Sequence, residues 1–309
     1  MKILVTGGTG LIGNGIRLAV ERSEHFQLSD FIFVSSKDCN FCNEEETLVY
    51  FQRLKPSFVI HLAAKVGGLF SNMNDNLSFL TENMKINMNV LDAAYKTGVT
   101  EVLCCLSTCI FPDDTSYPIQ ESFLHNGPPH KSNYGYSYAK RMLKILCDAY
   151  NEKHATNFKT FIPTNVFGPY DNYRIDQAHV IPSLMHKAMK NQELVVYGSG
   201  RPLRQFIYSI DLGRLILLLM TNYKSNDSII LSVPESEEVS IKQVANLIAE
   251  NFENKNIIYD TSYADGQYKK TVSTAKLFLN FPNFKFTPLK QAIKESCEWL
   301  KNNKDIARL

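Results

Sequence analysis

The sequence predicts an α/β protein built on a doubly wound parallel sheet, with a smaller α/β part interleaved into it. Three observations predict this. Short aliphatic runs alternate with segments of helical apolar spacing through residues 1–165. The first of these runs leads directly into a glycine cluster, Gly7-Gly8-Thr9-Gly10. After Pro163 the pattern shortens and turns become frequent, at Gly168-Pro169, Gly198-Ser199-Gly200 and Pro234.

The elements follow in order. Residues 2–6 read as a strand and 11–22 as a helix. Strands are expected at 31–35 and 58–63, and a helix at 82–96 with apolar positions Met84, Met88 and Leu91. Next come a strand at 101–107, a long helix at 136–154 and a strand at 158–162. In the second part, helices are expected at 180–190, 211–220, 241–252 and 289–301, and 228–233 is expected to return to the main sheet. Alternating strands and helices mean βαβ units. The division expected is 1–167 plus about 206–233 for a nucleotide-binding domain, and about 168–205 plus 234–309 for a substrate-binding domain.

Composition bounds the function. The 309 residues are 44% hydrophobic and 21% charged, as in a globular protein. With 33 Lys+Arg against 31 Asp+Glu, the net charge of +2 gives no bulk attraction to nucleic acid or an anionic membrane. No apolar run approaches the roughly 20 residues of a membrane helix, and no signal-peptide pattern opens the chain, so a soluble cytoplasmic protein is expected. Seven cysteines, an odd number in a chain with ample core, argue against disulfide stapling. Cys104 and Cys105 read as packing residues. Cys39 and Cys42 read as surface thiols, and no second ligand pair makes them a metal site.

Gly7, Gly10 and Gly13 form G-x-x-G-x-x-G between a strand and a helix. Such a loop turns sharply and lets backbone approach a pyrophosphate, which the helix N-terminus attracts. This is the Rossmann-type dinucleotide site, expected to use Gly7, Gly8, Thr9, Gly10, Leu11, Ile12 and Gly13. The tip of the second strand is Ser35-Ser36-Lys37. An NAD site usually carries a carboxylate there for the ribose 2′-hydroxyl. Two hydroxyls and a cation suit a 2′-phosphate instead, so NADPH/NADP+ is expected, with Asp38 placed to face the adenine.

Tyr136 and Lys140 stand four apart on one helical face, where an ammonium would favour the phenolate. Ser107 ends a strand upstream, at the edge where α/β sheets bind ligands. With the glycine loop, these residues resemble the extended short-chain dehydrogenase/reductase family, and His61-Leu62-Ala63-Ala64 is similar to that family's cofactor-side strand end. Further segments resemble the branch that epimerises and reduces GDP-4-keto-6-deoxy-D-mannose. They are Ala64-Lys65-Val66-Gly67-Gly68, Ser107-Thr108-Cys109-Ile110-Phe111-Pro112, Pro163-Thr164-Asn165-Val166-Phe167-Gly168-Pro169, Asp171-Asn172 and His179-Val180-Ile181-Pro182.

The resemblance implies a division of labour. Cys109 would be the base and His179 the acid of two inversions, at C3 and C5, where the 4-keto group acidifies the protons. Tyr136 and Ser107 would hold the C4 oxygen, and Lys140 would bind the nicotinamide ribose and lower the tyrosine pKa. Leu62, Ala63, Ala64, Leu106, Pro163, Thr164, Asn165, Val166 and His179 would contact the cofactor. Lys187, Tyr197, Arg204 and Asp265 would contact the substrate. The family often has Trp at the position of Tyr197 and Pro at that of Ala264. No metal is expected, and a homodimer is. Two rival readings are a 4-epimerase of the same superfamily, which returns its hydride, and a non-catalytic nucleotide sensor, which would not need the intact Tyr136/Lys140 pair.

Overall fold

The structure is a computed structural model describing residues 1–175, 177–253 and 255–309, with Leu69 and Phe70 described by backbone alone. In chain order the first half runs β1 (Ile3–Thr6), α1 (Leu11–Glu21), β2 (Phe31–Val34), α2 (Glu44–Leu54), β3 (Phe58–His61), α3 (Leu69–Asn74), α4 (Asn76–Lys96), β4 (Glu101–Cys105), α5 (Tyr134–His154) and β5 (Asn157–Pro163). The second half runs β6 (Asn165–Phe167), α6 (Val180–Lys190), β7 (Glu193–Tyr197), β8 (Leu203–Arg204), β9 (Phe206–Tyr208), α7 (Ser209–Asn222), β10 (Ile229–Leu231), β11 (Val239–Ser240), α8 (Ile241–Glu250), β12 (Asn256–Asp260), α9 (Ala275–Asn280) and α10 (Leu289–Asn302).

Six strands form one parallel sheet in the order β10-β5-β4-β3-β1-β2. The expected return of the chain to this sheet is β10 beside β5, Ile229 opposite Phe161. Because successive strand residues face opposite sides, β1 divides its side chains. Ile3 and Val5 pack with α1, α7 and the second part of the chain, and Leu4 packs with α2, α4 and α5. The chain reverses direction across the sheet between β1 and β3. The carboxyl ends of those two strands therefore splay apart, and that crevice is where such sheets take ligands.

Two close approaches fix the geometry there. Gly7 has φ +67°, and a Cβ on it would stand 2.8 Å from the Ala63 backbone nitrogen. Where α1 crosses α7, a Cβ on Gly15 would stand 2.2 Å from the Ser209 carbonyl oxygen, so the two helices meet backbone to backbone. That contact fixes how closely α1 lies against α7.

Three corrections concern elements. The helix expected at 82–96 starts at Asn76, because Asp75 caps it by accepting from Ser78 N. α2 was not expected: its buried face holds just Thr47 and Phe51, too few for a periodic signal, and Asn43 with the acidic first turn starts it. The strand expected to run to Ser107 ends at Cys105, and Ser107 instead caps a 3-10 turn over Thr108–Ile110.

Candidate active site

The crevice opens into a cavity of about 730 Å³. Its floor is the glycine turn, with Gly7, Thr9, Gly10, Leu11, Ile12 and Gly13 lining it. Gly10 begins α1 with no side chain capping the first turn, so the helix's free N–H groups are left for an anion. One wall is Leu62, Ala63 and Ala64, and Ser35 and Ser36 stand at one end. Leu106, Ser107, Tyr136, Lys140, Pro163, Thr164, Asn165 and Val166 complete the side towards the sheet's carboxyl edge. A second cavity of about 240 Å³ is lined by Tyr197, Arg204 and Asp265. Asn165, Val166 and His179 line both cavities, so His179 stands where the two meet.

The polar groups are held as follows. The Lys140 side chain, 2% exposed, donates from Nζ to the Cys105 carbonyl at 2.8 Å. Burial lowers the Lys140 pKa, partly offset by the nearby thiols of Cys105, Cys104 and Cys109. Burial likewise drives the Tyr136 hydroxyl well above its ordinary pKa, and Cys109 and Cys105 add to the shift. This reverses the expected lowering by Lys140. In its place here, the ammonium is turned to a backbone carbonyl, and desolvation of a phenolate outweighs the rest. Ser107 Oγ accepts from Cys109 N at 3.4 Å across the 3-10 turn, so the two residues are brought together by a turn and not by strand alternation. His179 precedes α6, and Ser183 N bonds its carbonyl at 3.0 Å. His179 lines both cavities, and desolvation by the protein packed around it lowers its pKa.

Several expected contacts are not assembled. Asp38 folds back on its own turn, accepting from Ser35 N at 2.8 Å and Ser35 Oγ at 2.7 Å. Neither it nor Lys37 lines the cavity. Gly8 lies behind the wall, its N–H donating to Val34 O at 2.8 Å. Cys109 lines neither cavity, although it is a close enough neighbour to influence Tyr136, Lys140 and Lys270. Lys187 is buried, donates to Val195 O at 3.2 Å, and sits 3.3 Å from the Tyr197 ring centroid. It therefore supports the aromatic ring from below instead of lining the cavity. The Asp265 carboxylate is taken by Ser199, from N at 2.8 Å and Oγ at 2.6 Å. Arg204 is placed in the second cavity as expected and is anchored to the Gln267 carbonyl at 2.7 Å. Cys39 is 1% exposed, not a surface thiol, and burial pushes its pKa up to about 11.

The cavity also recruits residues that were not singled out as site groups: Lys65, Asn172, Asp171, Gln177 and Arg308. Lys65 bonds Glu82 Oε1 at 2.6 Å and also the Ser78 hydroxyl. Arg308 reaches this wall because the segment after α10 pairs beside Asn172, far along the chain. No local pattern could have announced that.

A dinucleotide-type crevice joined to a second, cation-bearing chamber defines a class of nucleotide-dependent α/β enzymes. The chain belongs to the NAD dependent epimerase/dehydratase family, whose model matches residues 3–233. Within it, the chain is 51% identical over 311 residues to a GDP-L-fucose synthase of Dictyostelium discoideum, covering 99% of this chain and 97% of that protein. It is 48% identical to a probable GDP-L-fucose synthase of Drosophila melanogaster, covering 99% of each. The crystal structure of a GDP-L-fucose synthetase from Naegleria fowleri bound to NADP superposes with a TM-score of 0.95. It is 47% identical, and the match covers 99% of this chain and 94% of that one.

Proposed function

We propose that this chain converts GDP-4-keto-6-deoxy-D-mannose to GDP-L-fucose, by epimerisation at C3 and C5 followed by reduction at C4, with NADPH as reductant. The position of His179 at the junction of the two cavities carries the reading. A nucleotide sugar held in the smaller chamber would present its sugar ring to the groups that line the larger one.

The uncapped start of α1, the Gly7 turn and the Ser35 and Ser36 hydroxyls fit a dinucleotide with a 2′-phosphate. When bound, NADPH supplies a hydride. The chain's own groups do the rest. Ser107 and Tyr136 hold the C4 oxygen by hydrogen bonds and stabilise the enolate that forms when a neighbouring carbon loses its proton. Cys109, held beside Ser107 by the 3-10 turn, takes the proton from C3 on one face once its thiol turns into the cavity, and His179 returns one on the other; the same exchange follows at C5. On reduction, Tyr136 passes its hydroxyl proton to the C4 oxygen. A pKa raised by burial suits that role, since the tyrosine arrives protonated.

In this reading, residues 1–167 with about 206–233 hold the cofactor, and about 168–205 with 234–309 hold the sugar nucleotide. Arg204 meets its diphosphate. Tyr197, with Lys187 beneath it, offers an aromatic face. The reading includes a homodimer. Exposed Leu77, Met88 and Tyr95 on α4 and Tyr134, Tyr138, Met142 and Ile145 on α5 form an apolar surface that a second copy would cover. Sedimentation should then give twice the chain mass of 35.2 kDa.

The test is NADPH consumption with GDP-4-keto-6-deoxymannose, together with deuterium uptake from solvent at C3 and C5. No loss of NADPH would overturn the reading. Interconversion of C4 epimers without net NADPH loss would favour the rival 4-epimerase.

A further inference from the structure

We infer that Thr6, His61 and Asn87 form a buried, one-directional hydrogen-bond relay that positions the cofactor wall at Leu62–Ala63 relative to the helix carrying Tyr136 and Lys140. The inference rests on the cofactor reading above.

All three side chains are 0% exposed. Thr6 is the last residue of β1, directly before the Gly7 turn. Its Oγ1 accepts from Ala63 N at 3.2 Å and, also at 3.2 Å, from Leu62 N, which it shares with the Thr6 carbonyl at 3.1 Å. The same oxygen lies 2.8 Å from His61 Nδ1. With its accepting positions engaged by two backbone donors, the hydroxyl gives its own proton to the ring. Nδ1 is then an acceptor, and the imidazole proton sits on Nε2. That nitrogen is 3.1 Å from Asn87 Oδ1, which accepts it. The amide Nδ2 of Asn87 is left to donate, and it does so to the Ala139 carbonyl at 3.3 Å. Ala139 lies between Tyr136 and Lys140 on α5.

Each link therefore has one permitted direction, from Leu62 and Ala63 N–H through Thr6, His61 and Asn87 to Ala139 O. Reversing any member leaves a donor facing a donor in a buried place, which is costly. The relay spans β1, β3, α4 and α5; one end is the cavity wall Leu62–Ala63, and the other grips α5, whose Tyr136 and Lys140 line the same cavity. At the β3 end, Ala63 is also the residue against which the Gly7 turn is pressed. The ring must stay neutral for this to work. Burial, reinforced by the Lys140 charge, holds His61 down at about 3. An imidazolium would lose the Thr6 bond and set a second cation towards Lys140. These are positioning residues: none of the three side chains lines the cavity.

The test pairs two substitutions with two readouts. Thr6→Val keeps the shape and removes the hydroxyl, and Thr6→Ser keeps the hydroxyl. NADPH affinity, measured by quenching of intrinsic fluorescence, should fall about tenfold in Thr6→Val and stay within about twofold in Thr6→Ser. Thr6→Val should also lower kcat more than it raises the KM for the sugar nucleotide. In the unsubstituted protein, nitrogen NMR of His61 should show the proton on Nε2 and no titration between about pH 5 and 9. NADPH binding equally to both variants would overturn the inference, as would a proton on Nδ1. If Thr6→Val does not fold, the Nε2 tautomer and its persistence in Thr6→Ser decide the matter. Failure of the unsubstituted protein to bind NADPH would instead overturn the cofactor reading.

Discussion

Lys140 Nζ stands 5.9 Å from the centroid of the Tyr136 ring while donating to the Cys105 carbonyl at 2.8 Å. The two groups share a buried place, and the ammonium's bond goes to the backbone carbonyl and not to the tyrosine. The tyrosine therefore keeps its proton at neutral pH, with its pKa raised by desolvation and by the neighbouring thiols Cys109 and Cys105.

Tyr136→Phe should accordingly abolish the reductive half selectively. Hydride transfer should fall by roughly 10²–10⁴, the usual contribution of a positioned proton donor. Solvent deuterium should still enter recovered substrate, since Ser107 remains to hold the C4 oxygen. Equal loss of exchange and reduction would contradict this division. Single-turnover reduction should also show no Tyr136-dependent decline until well above pH 8, because the donor form persists through neutral pH.

Cys109→Ser should separate the same two halves in the opposite sense. Exchange at C3 and C5 should drop at least ~100-fold. NADPH affinity should stay within about twofold, because Cys109 does not line the cofactor cavity. Retention of full exchange, read by mass spectrometry in deuterium oxide, would remove Cys109 from the mechanism.

Gly15 offers a test far from the chemistry. A Cβ there would meet the Ser209 carbonyl oxygen at 2.2 Å, and neither backbone can yield without shifting α1 against α7. Gly15→Ala should cost about 1–3 kcal/mol in unfolding free energy. It should also weaken NADPH binding, because α1 begins at the glycine turn. Denaturant titration and cofactor titration of the same variant check both effects.

Asp171 gives a pH dependence. It is 4% exposed, accepts from Asn172 N at 2.7 Å, and its Oδ2 has no partner among the described residues. Burial raises its pKa to about 7, with the Asn172 backbone bond and Arg308 opposing. For an acid whose folded pKa exceeds its unfolded value, the folded state binds more protons. Stability is then full below the unfolded pKa near 3.8 and is lost as pH rises through about 7. The loss is at most about 4 kcal/mol. Asp171→Asn should remove it, so the variant should gain Tm relative to the parent at pH 8 and not at pH 4. The same Tm difference at both pH values would show that the carboxylate does not titrate in this window.

Much of the architecture was legible because it is local. The aliphatic run of β1, the glycine turn and the helical spacing of α1 lie within 21 residues, and each dictates its own conformation. The Tyr136/Lys140 spacing is set by the helix that carries it. α2 was hidden because capping and acidic charge, rather than an apolar stripe, define it. The side chains of Lys187 and Asp38 were misplaced for another reason. A long cation can be spent on a carbonyl and a ring, and a carboxylate can cap its own turn, and neither choice is visible in residue spacing.

The sequence by itself determined the sheet class, the dinucleotide turn and the one-face pairing of Tyr136 with Lys140, since these follow from periodicity and from residue chemistry at fixed offsets. The tertiary structure alone decided that His179 bridges two cavities, that Arg308 joins a wall some 300 residues after the glycine turn, and that Tyr136 holds its proton. The physical reason is common to all three. Burial, desolvation and contact between distant segments exist only after the chain has packed, and they set pKa values and cavity walls that no local pattern encodes.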